Sequence, residues 1–418
     1  MNIQVQLRIL WFGAFVSNAC FSLIIPFIPM YLYNLGVQEN NEFWSSIIII
    51  SSYIGATISS PIWGSLADRF GHKAMIVRAG FMNGFIYILC AIVQGPIELV
   101  ILRLLYGLNS GFMPALNALV SNMSTKENMA TNVSSIQNAV VGGQLLGPLI
   151  GGVFSSLFSI SSSFIIVGIS MLINTMCILF LVKNNTTNEK NKRNKQNRRI
   201  LWDIKSSFKY KGLAVLLMVV FLYQISSGML LPVLSTYILE LEIEKLIQPV
   251  ILMFNGDIYS FLNGIVFSFP TIVAFFVIKW WAKRGQKVSF YSNIKIGLIM
   301  GAMLSSLTTF VYSIGLLIVV RGIQGFFTAG IIPGVSTLIA KNVNEDFRGT
   351  AFSLLNSIRS LGSIIGPLMG GVITYLIGAK WVFTGIGLIL TISFIILAID
   401  KSLSTTERES VKQVEKIQ

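Results

Sequence analysis

Charged side chains are scarce in this chain of 418 residues. Asp, Glu, Lys and Arg make up 11% of it, and histidine occurs once, at His72. Acid-base, nucleophilic and metal-dependent catalysis need such groups in clusters, so we expect neither an enzyme nor a bound metal or cofactor. Cys20, Cys90 and Cys177 have no spacing typical of a disulfide or metal site, and we expect them to pack within apolar segments. A Walker-type phosphate loop is also absent, which argues against direct use of ATP.

Long apolar runs dominate instead. Apolar residues make up 54% of the chain and the mean hydropathy is +0.73, which is more apolar surface than one soluble core buries. The sequence predicts an all-α polytopic membrane protein whose transmembrane helices cross a hydrocarbon layer of ~30 Å. The first run is too long for a signal peptide and is expected to remain as a helix. The twelve predicted spans are 9–33, 44–64, 75–94, 98–121, 132–155, 163–182, 213–238, 257–281, 291–311, 314–340, 350–375 and 381–400.

The basic residues are unevenly distributed. The net charge is +14 at pH 7, and Lys and Arg cluster after the second, sixth and eighth runs, whereas 34–43 has two glutamates and no basic residue. Because basic loops stay on the cytoplasmic side, both termini are predicted to be cytoplasmic in the plasma membrane. The charge therefore indicates topology, and nucleic acid is not an expected partner. Contact of the basic 183–211 segment with anionic lipid remains an alternative.

The only long polar stretch, 183–211, divides the twelve runs into six and six. Its composition is typical of a solvated linker, with a short amphipathic helix expected near 200–210. The predicted domains are an N-terminal six-helix bundle, a cytoplasmic linker, a C-terminal six-helix bundle and a cytoplasmic tail, at 1–183, 184–212, 213–400 and 401–418.

The two sets of six runs repeat each other. The same series of residues begins at Arg103 and again at Arg321. Each arginine is followed by a glycine four residues later, then by a proline, and then by Gly-Pro-x-x-Gly-Gly. Pro26 and Pro232 also occupy similar places in the first and seventh runs. Two repeats that hold substrate between them near the bilayer midplane are the architecture of alternating-access transporters.

With these motifs the chain resembles the major facilitator superfamily, and within it the bacterial drug:proton antiporters with twelve transmembrane helices. The resemblance covers nearly the whole chain. It implies two pseudo-symmetric bundles, export of small amphiphilic compounds in exchange for protons, and a monomer in the lipid bilayer. Export or flipping of an endogenous solute or lipid is the alternative within transport, and a membrane enzyme is a disfavoured third reading.

The stretch GSLADRFGHK, residues 64–73, is similar to the superfamily signature between the second and third helices. The resemblance implies that the Asp68 carboxylate accepts backbone N–H groups at a neighbouring helix N-terminus and acts as a conformational latch. The alternative is a basic loop that only sets topology. His72 stands where the family has arginine, and an inert solvated histidine is favoured there over a pH sensor. The predicted latch residues are Gly64, Asp68, Arg69, Gly71, which permits the turn, and Lys73, with a weak echo in Gly285-Gln286-Lys287.

Glycine recurs at every fourth position of the fifth run. This spacing predicts a smooth helix face on which another helix packs closely. The run is similar to the antiporter signature G-x-x-x-G-P-x-x-G-G, and the resemblance implies export as the direction of transport. The motif residues are Gly143, Gly147, Pro148, Gly151 and Gly152, and Gly362, Gly366 and Gly370 repeat them.

Arg103 lies within the fourth run, in the pattern Leu99-x-x-x-Arg103-x-x-x-Gly107. An arginine at membrane depth costs at least ~2.5 kcal/mol, so it is expected to face a cavity or a partner. Arg321 and Arg359 are predicted to behave alike, while snorkelling to the outer interface remains an alternative for Arg103 and Arg321. The resemblance ties Arg103 to proton transfer, which makes Asp68 and Arg103 the candidates for proton coupling.

No aspartate or glutamate lies well inside any run. The substrate is therefore expected to be neutral, zwitterionic or anionic, and the proton is expected to travel on a rim carboxylate (Asp68, Asp257 or Glu42) or on the substrate. Pro26 and Pro29 are predicted to kink the first helix. Polar and aromatic residues in apolar runs are the candidates for the substrate cavity: Asn18, Phe21, Asn109, Met113, Asn117, Gln137, Asn138, Tyr223, Gln224, Phe326, Asn356 and Arg359.

Overall fold

The computed structural model describes residues 3–125, 128–183, 212–241, 258–343 and 345–400, without the side chains of 61, 64, 68, 130, 240 and 345–349. The predicted helix near 200–210 and the tail 401–418 lie outside the described residues. Helices form nearly all of the described chain: α1 (Ile3–Ile24), α2 (Ile28–Asn34), α3 (Asn41–Phe70), α4 (His72–Cys90), α5 (Pro96–Leu108), α6 (Phe112–Met123), α7 (Met129–Leu157), α8 (Ile160–Leu181), α9 (Leu213–Met229), α10 (Leu234–Glu240), α11 (Ile258–Lys287), α12 (Phe290–Thr308), α13 (Ile314–Thr328), α14 (Ile331–Asn342), α15 (Glu345–Ile377) and α16 (Lys380–Ile399).

The predicted spans are confirmed as helical segments. Ten segments within the described ranges are long and apolar enough to cross a membrane. The other two predicted spans correspond to α9, which is apolar but shorter, and to α12. The all-α polytopic fold class is therefore confirmed.

Four of the predicted spans are interrupted, and the interruptions recur at every third span. The first changes to a 3₁₀ turn at Ile25–Phe27, so the α-helix is interrupted at Pro26, where a kink is predicted. The fourth breaks between α5 and α6, where Gly111 has a φ of 115°. The seventh breaks between α9 and α10, and the tenth between α13 and α14. A proline lies in or just after each break, because proline lacks the N–H that a continuous helix needs.

The described contacts divide the chain into two compact units. Unit 1 comprises 1–189 and 231–268, and unit 2 comprises 190–230 and 269–418. Unit 1 has two buried apolar clusters, one around Tyr31, Tyr87 and Phe164 and one around Leu116 and Ile178. Residues 231–268 therefore group with the N-terminal helices, and the predicted sequence halves remain a prediction.

The segment 64–70 is helix rather than loop. α3 continues to Phe70, and the turn into α4 is made by Gly71 alone, whose φ of 92° favours glycine. The predicted role of Gly71 in the turn is confirmed. The proposed echo at Gly285 is wrong, because Gly285 lies inside α11. Cys177 is exposed, so the packing predicted for this cysteine is also wrong.

Candidate functional site

The glycine face of α7 packs on the backbone of α1. A Cβ added at Gly143 would lie 2.8 Å from the amide nitrogen of Ala19, and one added at Gly151 would lie 2.7 Å from the carbonyl oxygen of Leu23. Real Cβ atoms do not approach backbone this closely, so only glycine fits. The helix packing predicted from the four-residue glycine repeat is confirmed.

Gly152 faces a different neighbour, the first part of α11 in unit 1. A Cβ at Gly152 would lie 3.0 Å from the Cα of Gly264, and a Cβ at Gly264 would lie 2.6 Å from the carbonyl oxygen of Pro148. Gly264 was missed in the sequence, where it stands as a single glycine outside any repeat. Its partner could be found only from the fold.

Unit 2 repeats the first of these contacts within itself. A Cβ at Gly366 would lie 2.6 Å from the carbonyl oxygen of Ile225, and a Cβ at Gly362 would lie 2.8 Å from the Cβ of Gln224. α15 therefore packs on α9 as α7 packs on α1. The sequence repeat corresponds to a repeat of helix pairs.

Two tryptophans donate hydrogen bonds where the fourth and tenth spans are interrupted. The indole N–H of Trp63 donates to the carbonyl oxygen of Leu108, and that of Trp281 donates to the carbonyl oxygen of Phe326, both over 2.7 Å. The Arg78 guanidinium lies 3.2 Å from the Trp63 ring centroid and donates to the carbonyl oxygen of Ser110 over 2.8 Å. These bonds supply donors for carbonyls that a helix end leaves without partners. Neither tryptophan was predicted from the sequence as part of the site.

Arg103 is enclosed within unit 1. Its side chain is 1% exposed, so the alternative of snorkelling to the interface is wrong. Its Cζ lies 5.4 Å from the ring centroid of Tyr87, 5.9 Å from that of Tyr106 and 5.7 Å from that of Phe164. The guanidinium is thus surrounded by aromatic faces and borders a small cavity that Phe21 also lines.

In unit 2, one predicted residue lies within electrostatic range of two others. Tyr223 interacts with both Arg321 and Arg359. The Arg321 Nη1 donates to Gln324 Oε1 over 2.6 Å, and Gln324 donates in turn to Ser305 Oγ over 2.7 Å. Arg321 is therefore held in a polar network within its unit, and the described part of this network contains no carboxylate.

The remaining cavity candidates differ in their surroundings. Asn18 donates to Met113 Sδ over 3.4 Å, so these two lie together. Asn109 is buried and donates to Asn83 Oδ1 over 2.9 Å, which favours a packing role over the predicted cavity role. Gln224 donates to Ser363 Oγ over 3.1 Å. Asn117 has a buried Oδ1 without a hydrogen-bond partner among the described residues. Phe326 packs on Trp280 and Trp281. The exposed candidates are Gln137, Asn138, Asn356 and Arg359.

A buried polar cluster joins the first helical segment to α10 and α11 within unit 1. Asn263 Nδ2 donates to the carbonyl oxygen of Pro26 over 2.9 Å, and the Ser235 hydroxyl donates to the same oxygen. Asn263 Nδ2 also approaches Ser235 Oγ at 3.0 Å. The 3₁₀ turn leaves the Pro26 carbonyl free of a regular helical bond, so these side chains replace it.

Comparison with known proteins identifies the family to which this architecture belongs. The family model of the Major Facilitator Superfamily matches residues 10–294 and 216–417. The chain belongs to the Major Facilitator Superfamily. It is 29% identical to the multidrug resistance protein MdtG of Escherichia fergusonii, in an alignment that covers 92% of this chain and 91% of MdtG. It is 28% identical to MdtG of Salmonella typhimurium, in an alignment that covers 92% of each chain. The predicted resemblance to bacterial multidrug exporters is confirmed.

Solved structures of other transporters share the fold. The nucleoside transporter NupG superposes with a TM-score of 0.75 at 15% identity, over 96% of this chain and all of NupG. The peptide transporter POT superposes with a TM-score of 0.73 at 16% identity, over 95% of this chain and 94% of POT. This superfamily member is a multi-pass membrane protein and a transporter, not an enzyme.

The superfamily signature in 64–73 is described only in part. The surroundings of Gly64 and Asp68 lie outside the described residues, so the latch remains a prediction. Arg69 is exposed, with its Cζ 5.3 Å from the ring centroid of Phe70. Lys73 Nζ donates to the carbonyl oxygen of Leu179 over 2.8 Å, at the last turn of α8. A cation is favourable at that helix end.

Proposed function

We propose that this transporter exports small amphiphilic compounds across the bacterial cytoplasmic membrane, with both termini in the cytoplasm. The observation that carries the proposal is the glycine face of α7, which packs on α1 and on Gly264 as an antiporter-like motif would require. The curated relatives, which are named multidrug resistance proteins, support the same conclusion.

Alternating access is the proposed mechanism. The pairs α1 with α7 and α9 with α15 are packed backbone to backbone and would move as rigid elements. The interrupted spans, one in every three, supply positions at which a helix bends. The cluster of Pro26, Ser235 and Asn263 would be broken and remade as the outer ends of its helices separate and close.

Exchange for protons is part of the same proposal. Asp68 and Arg103 are the candidates for coupling, Asp68 from the signature and Arg103 from its burial. Because no described helix has a carboxylate well inside its span, the proton would travel on a rim carboxylate or on the substrate. The predicted carriers are Asp68, Asp257, which lies outside the described residues, and Glu42 at the start of α3.

The charge of unit 2 favours neutral, zwitterionic or anionic substrates. Tyr223 lies within electrostatic range of both Arg321 and Arg359, and no carboxylate is described beside it. A lipophilic cation would meet repulsion there, whereas an acidic group would be attracted.

A susceptibility panel tests the proposal. Cells with and without the gene would be exposed to anionic, neutral and cationic amphiphiles, and everted vesicles would then be assayed for uptake driven by a proton gradient. We expect protection against, and gradient-dependent uptake of, the neutral and anionic compounds. Protection against none of the three classes would contradict drug export. Uptake of lipid or metabolite extracts instead would indicate an endogenous cargo.

A further inference from the structure

An apolar groove runs between α1 and α8 within unit 1. It has a volume of about 490 Å³, within the range of ligand pockets, ~300–1,000 Å³. Its lining residues recur along 5–16 of α1 and along 170–181 of α8, at the spacing of one helix face. Both walls are mostly apolar, and Phe12 and Ile173 are 58% and 59% exposed. Because both helices belong to membrane-spanning segments, these exposed side chains face lipid.

The groove is about as long as one lipid leaflet is thick. Each wall rises by ~16 Å along its helix at 1.5 Å per residue, and half of a hydrocarbon layer of ~30 Å is ~15 Å. Two hydrogen bonds hold the walls side by side. The Gln6 side chain accepts the backbone N–H of Lys183 over 2.9 Å, and Asn174 Nδ2 donates to the carbonyl oxygen of Gly13 over 3.3 Å. The groove therefore has a fixed shape that suits an extended acyl chain.

Positive charge is concentrated at one end of the groove. Arg8 is the only charged residue among the described residues that line it. The Arg8 side chain is exposed and has no hydrogen bond or ion pair within the described part of the chain. It lies near the start of α1, beside the end of α8, where Lys73 Nζ donates to the last turn and Lys183 follows. Basic pockets between transmembrane helices are typical sites for acidic lipid headgroups.

The chain that follows α8 is a poor match for this groove. Residues 184–199 contain six basic residues, one glutamate and no apolar residue. They would bring polar groups to apolar walls and further positive charge to Arg8. An anionic phospholipid has both properties that the groove requires, an apolar chain and a negative group at its end.

We propose that the groove binds one acyl chain of an anionic phospholipid, whose phosphate lies at Arg8. The lipid would belong to the cytoplasmic leaflet, which rests on the proposed orientation with both termini in the cytoplasm. Binding involves apolar and ionic contacts only. The bound lipid would brace α1 against α8.

Native mass spectrometry of the purified full-length protein in detergent is the first test. Phosphatidylglycerol and phosphatidylcholine with identical acyl chains would be titrated separately. We expect one phosphatidylglycerol per protein to bind about fivefold more tightly than phosphatidylcholine, as expected for one basic side chain near an anionic lipid. Equal affinity for the two lipids overturns the proposal.

Cys177 reports where the lipid binds. It lines the groove and is exposed, whereas Cys20 and Cys90 are buried, so N-ethylmaleimide should modify Cys177 first. We expect phosphatidylglycerol to slow this alkylation several-fold, as measured by intact mass. Glycerol phosphate, which has the acidic group without the chains, should leave the rate unchanged. Unchanged alkylation in the presence of bound lipid, or equal protection by glycerol phosphate, overturns the assignment.

Variants separate the roles of charge and shape. Arg8→Gln should lower the affinity for phosphatidylglycerol to that for phosphatidylcholine. Lys283→Gln, at an exposed lysine of α11, should retain the preference. Ser170→Phe fills the groove and should weaken the binding of both lipids. If Ser170→Phe does not fold, Arg8→Gln and the alkylation of Cys177 decide.

Two further outcomes would overturn the proposal. One is a preference for phosphatidylglycerol that Arg8→Gln retains. The other is a lipid-free dimer that Ser170→Phe dissociates, which would assign the groove to a second copy of the chain. Because no transport is measured, a failure of the export proposal leaves this test intact.

Discussion

The indole N–H of Trp63 donates to the carbonyl oxygen of Leu108 over 2.7 Å, at the end of α5. Trp281 and Phe326 have the same relationship at the end of α13, and in each pair the partners are 45 residues apart. The two repeats thus share a way of stabilising a broken helix as well as a sequence motif.

Removing the Trp63 donor should destabilise its helix end. Trp63→Phe keeps a ring but loses the N–H, so we expect the free energy of unfolding to fall by about 1 kcal/mol. Detergent-titrated unfolding measures this change, and Trp281→Phe should behave alike. Trp11→Phe, at an exposed tryptophan, is the control. Equal losses in Trp63→Phe and Trp11→Phe would show that the hydrogen bond has no effect.

Two adjacent glycines of α7 should respond differently to alanine. A Cβ at Gly143 meets the backbone of α1, whereas a Cβ at Gly142 meets only the Phe15 ring, at 3.5 Å. Gly143→Ala should therefore reduce export in everted vesicles at least tenfold by forcing α7 from α1, and Gly142→Ala should retain it. Expression and membrane insertion would be checked by immunoblot. Full export by Gly143→Ala would refute the need for close packing.

The Asn263 side chain should restrain the C-terminal part of the first span, which begins at Pro26. Asn263→Ala removes one of two side-chain donors to the Pro26 carbonyl and leaves the Ser235 hydroxyl as its partner, at a cost of about 0.5–1.5 kcal/mol. We expect faster amide hydrogen exchange in residues 25–34, measured by mass spectrometry. Asn356→Ala, at an exposed asparagine of α15, is the control. Unchanged exchange at 25–34 would mean that the cluster does not restrain this segment.

Asp68 tests the predicted latch. Asp68→Asn retains the size of the side chain but loses the charge that favours a helix N-terminus, so export should be lost while the protein still inserts. Glu39→Gln, at the opposite rim, should export normally. If Asp68→Asn cells survive the substrate panel as well as the parent, the carboxylate is not part of a latch.

Arg359 tests the preference for acidic substrates. Arg359→Gln removes one positive charge near Tyr223 and should lower export of anionic compounds about tenfold more than that of neutral ones. Resistance to matched anionic and neutral amphiphiles measures the ratio. Lys279→Gln, an exposed lysine of α11, controls for surface charge. An unchanged ratio would place Arg359 away from the transported molecule.

Local features were predictable because they depend on few neighbours. Pro26 removes a helical N–H wherever it stands, and Gly71 is needed at a turn with positive φ in any fold. The glycine repeat of α7 likewise predicted close helix packing from spacing alone. The Gly285 echo failed because a glycine inside a helix and a glycine at a turn look identical in sequence.

Long-range partners were not predictable from the same information. Trp63 and Leu108 stand in different helices, and nothing in either sequence segment indicates that an indole meets a freed carbonyl. Gly264 has no local pattern and becomes recognisable only where Pro148 and Gly152 approach it. The composition placed Arg103 in an apolar segment, but only the fold showed the aromatic rings that enclose it.

The sequence alone determined that the chain is a helical membrane protein built from repeated spans, because hydrophobic length, glycine spacing and proline position act locally along the chain. The tertiary structure decided which carbonyl each indole satisfies, which backbone each glycine meets and which charge is left without a partner. These contacts depend on how helices distant in sequence pack, and the energy of a buried polar group is set by the atoms that packing brings to it.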